Sequence, residues 1–581
     1  MEKSEKLHNL RHSLAHLLAA AVMELYPDTK RTIGPAIDNG FYFDFEFSKP
    51  VSDADLPKIE KVMRKILPKW KGFERSELSA DEAKAEYSEN PYKHELIDEF
   101  TKDGQKVSFY KSGDYSDLCR GGHVENPSKD IDPEAFKLDR VAGAYWRGDE
   151  KNKMLTRIYG LAFETKEELD AYILQREEAE KRDHKKLGKE LDLFVFSELV
   201  GSGLPLWTPK GTILRDVLDN FVWELRQKRG YVKVEIPHIT KKELYEKSGH
   251  WDKFKTELFR ITTREGHEFA MKPMNCPHHI QIFDRRQWSY RELPQRYCNS
   301  TTCYRDEQTG ELSGLSRVRS FTQDDAHVFC RMSQVKEEFL RVWDIVHEFY
   351  NPFGFKMRVR LSLHDPEHSE KYLGDKKSWE HAESVLHEIV TGKKADWFEG
   401  MGEAAFYGPK LDFMAKDAIG REWQVATIQL DMNQPERFNL FCINEKGEKE
   451  RLVMIHAAIM GSIDRFLSIL IEHVAGVFPL WLAPVQVKVI PVRENHNDYA
   501  REVFESLRMS DIRAELDDSD ENLGKKVRDA KNNKMPYWIV IGDKEIEAGK
   551  VTLESRDAGQ LGQISKEELI SKLLEEMKNK K

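Results

Sequence analysis

The pattern of apolar and polar positions predicts a chain of mixed helices and strands in several parts. The stretch "HSLAHLLAAAV", which begins at His12, is apolar apart from one serine and two histidines and predicts the first helix. The runs "GFYFDFEF" and "KVSFYKSG" are typical of short strands. Next comes "LQREEAEKRDHKKLGKELDLF", whose few apolar positions predict a charged linker helix between domains.

The middle of the chain begins with an amphipathic helix, "GTILRDVLDNFVWELRQKRG", which leads into a predicted strand that ends at Pro237. Strand-like runs follow in "EFAMKP", "QRYCNS", "SFTQDDAHVF" and "EWQVATIQLD". After "WLAP", strands and helices alternate as in a small α/β domain. The predicted domains are 1–172, 173–191 (the linker helix), 192–483 and 484–581.

The composition is that of a globular protein with several domains. A chain of 581 residues is too long for one core, and its 40% apolar and 33% charged residues are ordinary for a soluble protein. No apolar run is long enough to span a bilayer, and "MEKSEKLHNLRH" lacks the apolar core of a secretory signal. Six cysteines predict a reducing, cytoplasmic setting. The net charge of −10 argues against indiscriminate nucleic-acid binding, but basic patches such as "KKVRDAKNNK" allow a specific RNA partner.

Two closely spaced pairs form the first candidate site. His12 and His16 lie four residues apart on the predicted first helix, so both imidazoles point to one side. Cys119 and His123 repeat that spacing in "SDLCRGGHVEN". These four side chains have the chemistry of a tetrahedral zinc site, and equally that of a metal-free hydrolytic cleft in which imidazoles orient a water. Satisfied histidines on a buried helix are the plainer alternative.

Cys276, His327 and His456 form the second candidate site. One cysteine and two histidines without a fourth protein ligand are the donor set of an open zinc site that can bind a substrate. A lone buried cysteine or histidine is more often structural, so the case rests on the three together. Competing ligands lie close in sequence: His278, His279 and Cys330.

Charged residues near the second site favour nucleotide binding. Arg305 and Glu307 precede a loop that contains glycine, Arg317 follows it, and Arg465 stands in "GSIDRF". Guanidinium groups match phosphate oxygens bidentately, so three arginines around one cleft favour recognition of a polyphosphate. The alternative is a set of surface ion pairs of little energetic value.

These blocks resemble the three motifs of class II aminoacyl-tRNA synthetases. The helix and strand ending at Pro237 look like motif 1, "CYRDE" with its loop like motif 2, and "GSIDRF" like motif 3. The blocks "KPMNCP", "RVRSFTQDDAH", "GEAAFYGPKLDF" and "EWQVATIQLD" narrow the likeness to the threonyl-tRNA synthetase family. The first candidate site, followed by "GAYWRGDEKNKMLTRIYG", resembles the editing domain of bacterial members. The resemblance runs from Leu7 onward and covers nearly the whole chain.

The resemblance implies a fold class and an activity. The fold class is α+β multidomain, with an N-terminal α+β editing domain, a class II catalytic domain with an antiparallel β-sheet and flanking helices, and a C-terminal α/β anticodon-binding domain. The activity is threonine–tRNA ligation, in which L-threonine and ATP give threonyl-adenylate, the threonyl group passes to threonine tRNA, and mischarged seryl-tRNA is hydrolysed. We expect one Zn²⁺ per subunit, Mg²⁺ with ATP, no membrane, and a homodimer joined through the motif 1 helix and the strand before Pro237. The apolar face of that helix exceeds what one catalytic core obviously needs: Ile213, Leu214, Val217, Leu218 and Phe221.

The same resemblance assigns residues to each site. It implies that the zinc ligands are Cys276, His327 and His456. It implies that threonine is held by Gln323, Asp325 and Tyr407, with Asp325 accepting from the hydroxyl; together with Arg305 and Arg465 these are the expected catalytic residues. The expected ATP-binding residues are Arg305, Glu307, Arg317, Phe321, Gln424, Thr427 and Arg465. The expected editing residues are His12, His16, Asp117, Cys119 and His123. The expected anticodon-reading residues are Arg528, Glu545, Glu554 and Arg556.

Several features depart from the family pattern. Gly122 stands where proline is common and should loosen its loop, and Ala457 follows His456 where arginine is usual. Glu554 replaces the first arginine of a "VRxR" pattern and Asp520 a common asparagine, so we predict weaker reading of the anticodon. Most bacterial members carry a ubiquitin-like domain before the editing domain, and we expect this chain to lack it.

Two other functions compete with this interpretation. A class II synthetase for proline or serine is disfavoured by the zinc triad. A non-catalytic RNA-binding regulator needs neither the arginines nor the zinc ligands that this chain contains. Threonine-dependent ATP–pyrophosphate exchange distinguishes these possibilities.

Overall fold

The computed structural model describes residues 2–102 and 104–580, and the chain divides into two compact units, Met1–Glu177 and Glu178–Lys581. The first unit contains the candidate hydrolytic cleft, and the second contains the candidate zinc and nucleotide sites. None of the described helices has both the length and the apolarity that crossing a bilayer requires.

The first unit is built from helices packed on two small sheets. Its helices are α1 (Glu2–Leu25), α2 (Leu56–Ile66), α3 (Ala80–Ala85), α4 (Pro91–Phe100), α5 (Pro127–Asp130) and the first part of α6 (Lys166–Arg182). Its strands are β1 (Lys30–Arg31), β2 (Ala36–Ile37), β3 (Gly40–Glu46), β4 (Glu74–Leu78), β5 (Val107–Ser112), β6 (Tyr115–Leu118), β7 (Phe136–Tyr145) and β8 (Met154–Ala162). The larger sheet has the order β1-β3-β8-β7, with β2 paired to β3, and the smaller has the order β4-β5-β6.

The burial of α1 explains how two histidines come to face a cleft. Leu14, Leu18 and Ala21 recur at helical spacing and are fully buried in the core of the first unit. Each leucine buried in this way stabilises the helix against the core by about 1.5–3 kcal/mol. His12 and His16 are one helical turn apart and therefore face the same side, where the turn after β6 approaches.

The segment that the pattern predicts as one linker helix is two helices. The helix α6 begins earlier, at Lys166, and α7 (His184–Glu190) follows after a break at Asp183. The break has a local cause, because the Asp183 side chain accepts a hydrogen bond from the Lys185 backbone and caps α7. Leu187 of α7 is buried in the main core of the second unit, so α7 is part of that unit's packing.

The larger part of the second unit surrounds one extended sheet. Its further helices are α8 (Pro209–Gln227), α9 (Lys242–Ser248), α10 (His250–Lys253), α11 (Cys276–Phe283), α12 (Val335–Tyr350), α13 (Lys376–Gly392), α14 (Asn433–Arg437) and α15 (Ile463–His473). Its strands are β9 (Phe194–Val195), β10 (Leu206–Trp207), β11 (Val232–Lys233), β12 (Ile239–Lys241), β13 (Arg260–Thr262), β14 (Glu268–Met271), β15 (Trp288–Ser289), β16 (Gln295–Tyr304), β17 (Ser320–Cys330), β18 (Lys356–Leu363), β19 (Trp397–Met401), β20 (Lys410–Lys416), β21 (Glu422–Asp431), β22 (Phe441–Ile443), β23 (Lys449–Arg451) and β24 (Val453–Ser462).

The eight strands of the main sheet lie in the order β11-β16-β17-β24-β21-β20-β18-β19. The pairs from β16 to β18 are antiparallel, and only the two edge pairs are parallel. On one face α8, α12 and α15 bury the apolar side chains of the central strands. On the other face polar side chains of β17, β21 and β24 remain, and they carry the candidate site.

The prediction for the motif 1 strand is wrong in extent. β11 covers only Val232–Lys233 and pairs in parallel with β16 at the edge of the sheet. Pro237, which lacks an N–H group, lies outside the ladder. The argument for a dimer from the apolar face of α8 is also wrong, because Leu214, Leu218 and Phe221 are buried within the chain's own core.

The C-terminal part of the second unit is a small α/β layer structure with three elements that the pattern did not predict. Its elements are β25 (Val487–Pro491), α16 (Asn497–Met509), β26 (Ala514–Leu516), α17 (Leu523–Asn532), β27 (Tyr537–Ile541), α18 (Asp543–Ala548), β28 (Val551–Ser555), β29 (Gly559–Ile564) and α19 (Lys566–Lys578). The sheet order is β26-β25-β27-β28-β29, parallel at first and then closed by the antiparallel hairpin β28–β29. The two strands of this hairpin and the short helix α18 before it are the unpredicted elements.

Candidate metal centre, nucleotide site and hydrolytic cleft

The register of β17 and β24 brings two of the three candidate zinc ligands together. His327 on β17 is directly opposite His456 on β24, and Nε2 of His327 lies 3.0 Å from Nδ1 of His456. Cys276 is the first residue of α11, and ligand atoms of the three residues lie within 4.8 Å of one another. Tetrahedral ligation of Zn²⁺ places two nitrogens roughly 3.3 Å apart, so the histidine pair fits this ion closely.

The surroundings of the triad also fit a cation. Asp431 lies 2.9 Å from the other ring nitrogen of His456, the carboxylate–histidine arrangement that supports a metal ligand. Burial, with nearby Asp325 and Asp431, raises the pKa of the Cys276 thiol well above its usual value. Burial lowers the pKa of His327 well below its usual value, so the imidazole is neutral and its nitrogen can bind a metal. A thiolate in this position therefore requires a bound cation to hold its charge.

Several ligands that compete in the sequence lie outside the triad. His279 contacts Nδ1 of His327 from behind, at 2.8 Å, and both ring nitrogens of His278 lack a hydrogen-bond partner among the described residues. Cys330 is buried in the core on the other side of the sheet. His250, which the sequence reasoning missed, lies 3.7 Å from the Cys276 sulfur through Nε2. Nothing in its local sequence, "SGHWDKF", distinguishes it from a structural histidine.

The predicted threonine-binding residues line the same pocket. Asp325 accepts a hydrogen bond from Nδ2 of Asn275 at 3.0 Å, and one of its oxygens lies 3.8 Å from Nε2 of His327. Tyr407 stacks on the His456 ring at 4.8 Å and donates its hydroxyl to Gln429 at 2.5 Å. Asn275 and Gln429 were not predicted from the sequence.

Gln323 occupies the strand position two residues before Asp325, on the same face of β17. Its side-chain oxygen lies 3.8 Å from the Cys303 sulfur. Gln424 forms hydrogen bonds with polar side chains of β18 and β20. It accepts from Arg360 at 2.8 Å and donates to Asp412 at 2.9 Å. Thr427 accepts from Gln429 at 3.2 Å.

The predicted phosphate-binding arginines differ in how far they are already paired. The Arg305 guanidinium lies between the rings of Phe254 and Phe321, and its buried Nε has no hydrogen-bond partner among the described residues. Arg317 is paired with Glu307 at 2.6 Å. No described residue forms an ion pair with the Arg465 guanidinium, whose pKa burial lowers from its usual value. Arg305 and Arg465 are therefore the groups with free donors for an anion.

A buried arginine from α8 lies beside Ala457, where the family usually has arginine. The buried Arg226 on α8 donates to the Ala457 carbonyl at 3.3 Å and to the Asp324 backbone carbonyl at 2.9 Å. The Asp324 carboxylate in turn accepts from the backbone N–H groups of Ile459 and Met460. These bonds span the bulge between Gln323 and Asp325 in the β17–β24 pairing. The Arg226 guanidinium thus donates hydrogen bonds to backbone carbonyls of both β17 and β24.

The first candidate site is a true cluster in space. The Cys119 sulfur lies 3.5 Å from Nε2 of His12 and 3.5 Å from Nε2 of His123, and ligand atoms of the quartet lie within 4.8 Å. The His12 and His123 rings stack at 4.7 Å. A cavity of about 540 Å³ opens beside His12, His16 and Cys119. Distances of this size suit both a metal-bound quartet and a metal-free cleft.

The protonation states of the quartet follow from burial. Burial lowers the pKa of His16 well below its usual value and that of His123 to about 3, so both imidazoles are neutral at pH 7. Burial raises the pKa of the Cys119 thiol to about 11. The thiol is therefore protonated and a poor nucleophile, whereas the neutral imidazoles can accept a hydrogen bond from water and orient it.

Asp117 lies at the back of this cavity in a fully buried network. It accepts from the Tyr87 and Tyr115 hydroxyls at 2.6 and 2.7 Å and is paired with Lys93 at 2.7 Å. Burial alone raises the pKa of Asp117, but Lys93 and Arg31 outweigh it and hold the pKa below its usual range. Lys93 was missed in the sequence, because "PYKHEL" resembles an ordinary helix segment.

Gly122 has the left-handed backbone conformation that favours glycine. Its φ is +85°, which proline cannot adopt, and its carbonyl lies 3.1 Å from Nδ1 of His12. The loop after β6 therefore takes a path that requires glycine here, and this path holds the His12 ring. The expectation of a looser loop stays a prediction.

The predicted anticodon residues lie on the C-terminal α/β layer, mostly in structural contacts. Glu554 accepts from the indole N–H of Trp538 at 3.0 Å, and Glu545 accepts from Thr552 at 2.7 Å. Arg556 uses four of its five N–H groups on the Phe478 and Lys534 carbonyls and on Asp557. Arg528 is exposed on α17. Of the four, Arg528 is the residue with its donors free for a partner.

Comparison with known families identifies three regions of the chain. Residues 254–474 match the class II tRNA synthetase core domain of the G, H, P, S and T type. Residues 486–576 match an anticodon binding domain. Residues 107–159 match the second additional domain of threonyl and alanyl tRNA synthetases. These matches confirm the α+β multidomain fold class with its class II core.

Relatives with high identity cover nearly all of the chain. The threonine–tRNA ligase of Deinococcus radiodurans is 49% identical over 98% of this chain and 89% of its own length. That of Gloeobacter violaceus is 49% identical over 99% and 93%. Among solved structures, the RNA binding domain of threonyl-tRNA synthetase from Cryptosporidium parvum Iowa II has a TM-score of 0.65 and 36% identity, covering 68% of this chain and 98% of its own. The predicted resemblance is confirmed, and the chain belongs to the threonine–tRNA ligase family.

Proposed function

We propose that this protein is a threonine–tRNA ligase that activates L-threonine with ATP, transfers it to threonine tRNA, and hydrolyses mischarged seryl-tRNA at a separate site. The observation that carries the proposal is the triad of Cys276, His327 and His456 beside Asp325 and two unpaired arginines. The class II core, the additional domain and the curated relatives support the same reaction.

We propose that one Zn²⁺ per subunit is held by Cys276, His327 and His456. When bound, the ion would offer open coordination positions to the amino and hydroxyl groups of threonine. Asp325, fixed by Asn275, would accept a hydrogen bond from the hydroxyl, and Gln323 and Tyr407 would hold the amino acid. Valine lacks the hydroxyl, and an apolar pocket alone would reject it by only about a hundredfold.

We propose that the nucleotide binds across the free arginines, with Mg²⁺. The reaction is an in-line attack of the threonine carboxylate on the α-phosphate, and it needs positioning and charge neutralisation. Arg305 would bind the α-phosphate and the carboxylate, and Arg465 the γ-phosphate. Further contacts are proposed for Glu307 with the adenine amino group, for Phe321 stacked on the base, and for Arg317, Gln424 and Thr427.

The hydrolytic cleft is needed because the zinc and nucleotide site cannot fully exclude serine. Serine carries the same hydroxyl as threonine and is smaller, and one missing methyl group yields only about 1–3 kcal/mol of discrimination. We propose that His12, His16, Asp117, Cys119 and His123 form a metal-free editing cleft. Its neutral imidazoles would orient water and the terminal adenosine, for which a cavity of about 540 Å³ has room.

Threonine-dependent ATP–pyrophosphate exchange tests the proposed activation directly. Purified protein should catalyse exchange with threonine, more weakly with serine, and at background level with valine or proline. Background exchange with all four amino acids would contradict ligase activity and favour an RNA-binding role instead.

We predict that this enzyme depends less on the anticodon than its relatives do, and more on the acceptor stem. Glu554 is occupied by Trp538 and Arg556 by backbone carbonyls, so few donors remain for base edges. Single substitutions at the second and third anticodon positions of threonine tRNA should each cost less than about 3 kcal/mol in kcat/KM. A loss of that size for each substitution would contradict the prediction. Glu554→Gln, which keeps an acceptor for Trp538, serves as the variant that changes charge alone.

We propose that the ligase is a cytoplasmic homodimer. All six cysteines are free thiols, as expected in a reducing compartment. The edge strand β11 and the strand β12 leave Val232 and Ile239 about half exposed, at 51% and 48%. Exposed apolar residues on and next to a sheet edge favour contact with a second copy.

A further inference from the structure

A buried histidine outside the proposed catalytic residues joins three elements around the nucleotide site. His184 is the first residue of α7 and is only 4% exposed. Its Nδ1 lies 2.7 Å from a carboxylate oxygen of Glu472 near the end of α15. Its Nε2 lies 3.0 Å from the backbone nitrogen of Leu315. Leu315 lies in the β16–β17 loop, residues 305–319, which carries Arg305, Glu307 and Arg317.

The hydrogen-bond directions assign one tautomer to His184. A carboxylate can only accept, so Nδ1 carries the proton and donates to Glu472. The backbone N–H of Leu315 can only donate, so Nε2 offers its lone pair. Both ring nitrogens are thus satisfied by partners from different elements. The other Glu472 oxygen accepts from Arg421 at 2.6 Å, which keeps that carboxylate in place.

The loop is seated tightly at this point. Leu315 is fully buried in the main core, and the next residue, Ser316, contacts Ser468 of α15 through the two hydroxyls at 2.9 Å. Gly314 has φ of +50°, and a Cβ there would lie 2.2 Å from Nε2 of His184. Loop and imidazole therefore approach so closely that only glycine fits between them.

We infer that His184 is a positioning residue for ATP: it holds the β16–β17 loop, which carries Arg305 and Arg317, against α15, which carries Arg465, so that one polyphosphate can bind between them. Arg317 lies two residues after Leu315, and Arg465 lies on the same helix as Ser468 and Glu472. The hydrogen bonds of His184 go to Leu315 and Glu472, and so join the loop and the helix that carry these arginines. The inference rests on the proposed nucleotide site.

Two substitutions separate the two nitrogens of His184. His184→Asn keeps a polar group near the Nδ1 position for Glu472 but removes the acceptor for Leu315, whereas His184→Gln keeps an acceptor near Nε2. Leaving the buried Leu315 donor unpaired costs a sizeable free energy. His184→Asn should therefore raise the KM for ATP about tenfold in the ATP–pyrophosphate exchange reaction. The KM for threonine should stay within about twofold, and His184→Gln should restore most of the ATP affinity.

Amide hydrogen exchange gives a readout that does not depend on activity. The Leu315 amide should exchange at least about tenfold faster in His184→Asn than in the wild type or in His184→Gln. Gly314→Ala, which pushes the loop from His184, should reproduce both effects if His184→Asn folds poorly. The inference would be overturned if His184→Asn changed neither the KM for ATP nor the rate of hydrogen exchange at the Leu315 amide. It would also be overturned if His184→Asn and His184→Gln raised the KM for ATP equally. Absence of exchange activity in the wild type would instead refute the proposed function, while the Leu315 amide would still test the contact.

Discussion

Replacement of Cys276 by serine is expected to abolish threonine-dependent ATP–pyrophosphate exchange, lowering its rate at least about a hundredfold. A serine hydroxyl stays protonated at neutral pH and cannot supply the thiolate that completes the triad with His327 and His456. Zinc should therefore leave the protein, and elemental analysis should fall from one ion per subunit to nearly none. The fold should remain largely intact, because the substitution changes one atom in a buried site.

The matched control is Cys442→Ser. Cys442 is buried in the same hydrophobic cluster as Cys276, but it lies on β22 and outside the triad. It should keep its zinc and its exchange activity. Active wild-type protein without zinc would refute the proposed metal centre, and so would full activity in Cys276→Ser after its zinc is lost.

Loss of editing is the second large effect that we expect. Cys119→Ala or His12→Ala should slow hydrolysis of seryl-tRNA by about a hundredfold or more, the contribution typical of a positioned acid–base group. The His12 ring lies between the Gly122 carbonyl and the Cys119 sulfur, so His12→Ala removes the ring and Cys119→Ala removes one of its two contacts. Seryl-tRNA should accumulate in the presence of serine, while threonine activation stays unchanged because that site lies in the other unit.

His8→Ala is the control for this experiment, since His8 is exposed on the same helix one turn earlier. It should edit as the wild type does.

The metal count separates the two chemistries that the quartet allows. Nearly two metal ions per subunit, with editing lost when one is selectively removed, would contradict a metal-free cleft.

Much of the function was predictable from local sequence because synthetase chemistry depends on short blocks. The block around Arg305, the block from Gln323 to His327 and the block around His456 each identify a strand or loop whose residues meet in one pocket. The alternation of strands and helices after residue 484 predicted the C-terminal layer in the same way. Such patterns are readable because burial imposes a period of two on strands and 3.6 on helices.

Other predictions failed where long-range packing overrides a local pattern. The apolar face of α8 suggested a partner chain, yet it packs within its own core. The linker has a break at Asp183, and its second half packs within the second unit. Lys93, Asn275 and His184 carry no local signal, because a buried polar side chain is recognised only by its partners in space.

By itself the sequence determined the class of reaction, the order of the parts and the donor atoms available to each site. Only the tertiary structure decided which donors meet: the register that sets His327 against His456, the turn at Gly122 that holds His12, and the seat of Leu315 against His184. The physical reason is that donor chemistry belongs to single residues. Distances of about 3 Å between residues more than a hundred positions apart arise only when buried surfaces fix strand register and loop path together.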